Sequence, residues 1–134
     1  KDDSVELWID SRGDANFFNN MPNNPGCFQF VIAPSLAEPG KAETITYRNP
    51  EWNNKVFPAL AATSQITTNG FIVEARIPLD ALRGPLPVKD PNRIGFNVST
   101  CDSDEAGGKT TWKHMLWQGT DDWDARQWGV GILE

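Results

Sequence analysis

DDSVELWID, Asp2 to Asp10, places an aliphatic residue at every second position from Val5 to Ile9. Val5, Leu7 and Ile9 point one way; Ser4, Glu6, Trp8 and Asp10 point the other. A period of two belongs to a β-strand, whereas a helix would scatter the same residues around its axis. The polar face joins carboxylates to an indole. Such a face suits a sugar, whose apolar C–H side stacks on an aromatic ring while its hydroxyls donate to carboxylate oxygens.

The same alternation recurs along the chain. Cys27–Ala33 (CFQFVIA) sets Phe28, Phe30 and Ile32 on one face, and Thr44–Arg48 (TITYR) reads as a short strand. Ala59–Thr67 and Phe71–Ile77 flank TTNG, and Asn69-Gly70 is a strong hairpin signal. Pro78 ends that second strand because it lacks a donor. Leu79–Gly84 (LDALRG) allows one helical turn closed by glycine. Arg93–Asp102, Thr110–Trp117 and Gln127–Glu134 follow as strands, the last with Trp128, Val130 and Ile132 on one face.

Between these runs lie segments rich in Asn, Gly, Pro and Asp, which read as loops. The longest spans Pro34 to Pro58 and holds four prolines, with Trp52 placed either as an exposed platform or as a loop anchor. Many short strands with long loops predict an all-β fold, an antiparallel β-sandwich of jelly-roll or immunoglobulin-like type. With 134 residues, no repeat and no linker, residues 1–134 read as one domain.

Composition narrows the function. A net charge of −6 argues against nucleic acid and anionic membranes as partners, since both favour basic patches. No apolar run approaches the roughly 20 residues of a membrane-spanning helix. Six tryptophans against one tyrosine is a strong bias, and an indole N–H needs a partner once buried. Some of the six are therefore expected at a functional surface, whereas Trp112, Trp117 and Trp128 sit in strand patterns and read as core. Cys27 and Cys101 leave two readings open, one cross-sheet disulfide or two buried thiols.

Catalytic and metal signatures are sparse. There is one histidine, His114, read as a hydrogen-bonded strand residue, and no H-E-x-x-H, G-x-S-x-G or C-x-x-C motif. A glycosidase needs two opposed carboxylates about 5–9 Å apart, and acids are plentiful, but no stretch has a catalytic pattern. Glu74, mid-strand, reads as a buried structural acid. Asp10, Asp14 and Asn16 put oxygen donors at the short spacing a calcium site requires; the alternative is a loop whose Asx side chains bond their own backbone. Asp102–Lys109 (DSDEAGGK) is an acidic turn and a second candidate metal loop; the alternative is a hairpin tip that is acidic for solubility alone.

Several blocks, in order, resemble carbohydrate-binding module family 9 and its relatives. They are DDSVELWID, CFQF (Cys27–Phe30), GFIVEARIPL (Gly70–Leu79), IGFNVSTCDSD (Ile94–Asp104), the strand ending in Trp117, and DDWDARQWGVGIL (Asp121–Leu133). The resemblance implies a non-catalytic module that binds polysaccharide or oligosaccharide such as glucan or xylan. It implies a secreted, cell-surface or periplasmic setting, and structural calcium. It maps the stacking tryptophan onto Trp123 and the polar residue of the first strand onto Glu6. Asp121 joins them as an acceptor, and Trp8, on the Glu6 face, stands in for a second clamp tryptophan or else packs under a loop.

The chain departs from the family pattern at Val31, where an arginine is expected, and at Ala33, where an asparagine is expected. The second clamp tryptophan and further strands are expected ahead of DDSVEL, so either an oligomer or an N-terminal segment is expected to complete the sandwich. The competing functional readings are a structural or interaction domain without a sugar site, and a glycoside-active enzyme.

Overall fold

The computed structural model describes residues 3–12, 26–83, 90–106, 109–119 and 127–133. Eight strands and one short helix follow one another: β1 (Ser4–Asp10), β2 (Cys27–Pro34), β3 (Ala42–Tyr47), β4 (Ala61–Thr67), β5 (Gly70–Arg76), α1 (Leu79–Arg83), β6 (Arg93–Ala106), β7 (Lys109–Leu116) and β8 (Gly129–Ile132). All pairings are antiparallel. Six strands form one sheet in the order β3-β2-β1-β6-β7, with β8 pairing to the first residues of β6. β4 and β5 form a two-stranded sheet that packs over it as the second layer of a sandwich.

β1 lies at the centre, paired to β2 on one side and to β6 on the other. Directly opposed antiparallel residues share a face. The Val5/Leu7/Ile9 face of β1 therefore continues through Phe28, Phe30 and Ile32 of β2 and Phe96 and Val98 of β6. Onto it pack Phe57, Leu60 and Leu82, with Ala62, Val73 and Ile77 half-buried around them. Phe28 and Phe30 stack with centroids 5.3 Å apart, and Phe57 meets both edge-on or tilted at 5.5 Å. Trp52 closes this cluster against Phe57 at 5.2 Å and 89°, which makes it a loop anchor.

The proline-rich segment is held by specific bonds. Asn49, buried, accepts the backbone N–H groups of Glu51 and Trp52 and donates to the Cys27 carbonyl. Thr46 and Lys55 form an isolated bridge. Ser64 of β4 donates to the Lys41 carbonyl at 2.6 Å, fastening the hairpin to the start of β3.

The structure corrects several boundaries. The β4–β5 turn is formed by Thr68 and Asn69, one position earlier than Asn-Gly pairing predicts, and Gly70, at φ 149°, already pairs with Thr67. β6 runs to Ala106, so Asp102–Ala106 is strand and not turn. There Asp102 faces Lys113, 3.5 Å away.

The cysteines cannot bridge. Cys27 pairs with the last residue of β1 and Cys101 with its first. Roughly 20 Å of strand separates those positions, whereas a disulfide needs Cα atoms within about 7 Å. Neither is in a disulfide; Cys27 is buried and Cys101 half-buried.

The second layer covers only part of the first. The face is sealed over β2, but Val5, Leu7, Ile94, Phe96 and Val98 are half-exposed, and Met115 and Trp117 are 69% and 63% exposed. A groove of about 520 Å³ lined by apolar side chains runs between β5 and β6. Val130 and Ile132 are exposed, and on β8 it is Gly129 and Gly131 that face Phe96 and Ile94.

Phe30, wholly buried against the rings of Phe28 and Phe57, is the keystone of the sealed half. Phe30→Ala should lower unfolding free energy by about 3–5 kcal/mol in urea denaturation.

Candidate functional site

The second face of β1 is polar and mostly covered. Glu6 lies opposite Val31 of β2 and Ser99 of β6; Trp8 lies opposite Gln29 and Asn97. These registers assemble a network. The Trp8 indole N–H donates to Ser99 Oγ at 3.0 Å, and Ser99 Oγ donates to Glu6 Oε2 at 3.2 Å. Gln29 Nε2 donates to the same oxygen at 3.1 Å. His114 Nε2 reaches across from β7 to 3.6 Å from it. Among the described residues every contact of the Glu6 carboxylate is on Oε2. Two donors thus orient the carboxylate through Oε2, and its side chain remains 14% exposed.

Trp8 is not a platform. Only 2% of it is exposed, and its ring packs 5.9 Å from Trp128, also buried. With its N–H spent on Ser99, it is a packing residue that helps fix Glu6, and no open ring face is left for a sugar. Asn97 locks the far side: its amide bonds the Gln118 backbone twice, at 2.9 and 3.1 Å.

Other expected roles change as well. Trp117, read as core, is exposed, and its ring lies over Gly129; a Cβ there would come within 2.6 Å of ring carbon Cζ3. Glu74, read as a buried acid, is exposed. His114 is 37% exposed and faces the Glu6 carboxylate.

Of the residues expected to hold calcium, Asp10 is fully buried. Its Oδ1 accepts the Arg12 backbone N–H at 3.1 Å and lies 3.8 Å from Arg12 Nε. Asp14 and Asn16 lie outside the described residues, as do Trp123 and Asp121. Among the described residues, no group of three or more His, Cys, Asp or Glu side chains is arranged to hold a metal.

Gln29, Ser99 and His114 are the residues that strand-by-strand reading does not connect to Glu6. Gln29 and Ser99 sit at polar positions of alternating runs and His114 in a run of mixed pattern; only the register between strands brings them together.

A family model for carbohydrate family 9 binding domain-like proteins matches residues 1–134. The chain belongs to that family. No curated protein and no solved structure matched it. Membership in the family 9 binding-domain group implies a carbohydrate ligand, and it gives the Glu6 cluster a chemical context: a fixed acceptor beside an amide, a hydroxyl and an imidazole is a set that hydroxyl groups can satisfy.

Ser99 is the link in this network, accepting from Trp8 and donating to Glu6. Ser99→Ala strands a buried indole N–H and removes one of the two donors to Glu6. It should cost about 1–3 kcal/mol of stability, read by chemical denaturation, and shift the tryptophan emission of the native state.

Proposed function

We propose that this domain binds neutral plant-type polysaccharide or oligosaccharide, glucan or xylan, without transforming it. The observation that carries the reading is the Glu6 carboxylate, held by Gln29 and Ser99 on the polar face of the sheet in a family 9 binding domain. Glu6 accepts a sugar hydroxyl, Trp123 stacks on the ring, and Asp121 supplies a further acceptor. The groups in contact with the Glu6 carboxylate are an amide, a hydroxyl and an imidazole. Family 9 binding domains are typically non-catalytic, which supports binding over hydrolysis. Such ligands place the domain outside the cell, at its surface or in the periplasm.

Burial of Trp8 removes one of the two candidate stacking surfaces and favours, as the second reading, an interaction domain that keeps the fold without the sugar site.

Titration with gluco- and xylo-oligosaccharides, followed by tryptophan fluorescence and calorimetry, separates these readings. Binding is expected; Trp123→Ala should abolish it, and Glu6→Gln should weaken it about 10-fold or more, as loss of a charge-assisted hydrogen bond requires. Silence of the wild-type protein toward every glycan would leave the interaction domain. Release of reducing sugar from a polysaccharide would make the protein an enzyme.

A further inference from the structure

Calcium is the ion that both the family resemblance and the Asp10, Asp14, Asn16 spacing imply. The surroundings of Asp10 do not fit it. Asp10 ends β1 at the centre of the large sheet, between Cys27 and Gly95, with no exposed surface. A guanidinium is built into the place beside it: Arg12 Nε stands 3.8 Å from Asp10 Oδ1, and the Arg12 side chain is 10% exposed.

Three segments shape this place. Gly26 supplies the room, since a Cβ there would lie 2.2 Å from Arg12 Nε and 2.6 Å from its Cδ. Ser11, wholly buried, donates from its hydroxyl to the carbonyls of Gly26 and Leu82, and its N–H bonds Gly26 as well. Arg83 of α1 donates to the Ser11 carbonyl at 3.1 Å, and the Asp90 N–H bonds the Arg12 carbonyl. The backbone on both sides of Arg12 is therefore fixed, and its side chain is threaded past a glycine toward a buried carboxylate. A divalent ion on that carboxylate would sit against a fixed positive charge in a poorly solvated place.

We propose that Arg12 is the resident cation of this junction. Its guanidinium, and not calcium, balances Asp10, while Ser11 ties the end of β1 to the Gly26 turn and to α1. Asp10 is then a structural partner of Arg12 and not a metal ligand.

The test compares thermal melting of the wild type, Asp10→Asn, Arg12→Met, Arg12→Lys and the double variant Asp10→Asn/Arg12→Met, each in millimolar calcium and in EDTA. Each neutralising single change removes the charge beside the other and should lower the midpoint by roughly 10 °C or more. The double variant should recover much of the sum of the two losses, because the two charges act on each other. The wild-type midpoint should be the same in calcium and EDTA, or any calcium shift should persist in Asp10→Asn. Losses that simply add in the double variant, or a calcium shift in the wild type that Asp10→Asn abolishes, would overturn the proposal. Should Asp10→Asn fail to fold, Arg12→Lys decides: a cation role predicts a midpoint well above that of Arg12→Met, and equal losses in the two would sink it.

Discussion

Seven residues of β1 hold the large sheet together, because every path from β2 and β3 to β6, β7 and β8 crosses their backbone hydrogen bonds. The strand is paired on both edges and neither face lies open to solvent: Ser4, Trp8, Ile9 and Asp10 are buried and Val5, Glu6 and Leu7 half-buried. Its alternation therefore does not divide core from solvent, as it would in a half-buried strand. It divides two buried environments, one apolar and one polar. On the apolar side burial alone is favourable. On the polar side each group must find a partner or carry a desolvation cost. Ser99, Gln29 and Arg12 meet that need at Glu6, Trp8 and Asp10, and the result is a rigid set of polar side chains on the sheet face.

That rigidity bears on binding. A carboxylate oriented before a ligand arrives loses little freedom when the ligand is bound, and preorganisation is a main source of affinity where contact area is small. The buried Trp8 acts in the same direction: it exchanges a stacking surface for a fixed donor beneath the acceptor.

Strand positions were legible because their period is local. The runs at Asp2–Asp10, Cys27–Ala33 and Phe71–Ile77 contain β1, β2 and β5 to within a few residues. Other features depend on what lies across the sheet. Nothing in Gln29, Ser99 or His114 by itself points to Glu6; the pairing of β1 with β2 and β6 does. Trp117 is exposed where core is expected for the same reason, while Trp8 takes the packed one of its two readings. Alternation tells which residues share a face, but not how far the next layer extends. The β4–β5 hairpin covers β2 and stops short of β7, so Trp117 stays open and Glu74, on the hairpin's outer side, meets solvent. A linear spacing of cysteines likewise carries no information about which ends of β1 they border.

The distance between the two thiols has a practical side. Because neither enters a disulfide, the fold makes no demand on the redox state of the compartment in which the chain is produced, and reduction leaves its covalent framework unchanged. Their unequal burial makes them separate reporters at the two ends of one strand. Cys101 borders the start of β1, and Cys27 its end, beside the Asp10–Arg12 junction. Fraying that begins at either end of the central strand would be registered by a different sulfur, so alkylation kinetics can tell which end opens first.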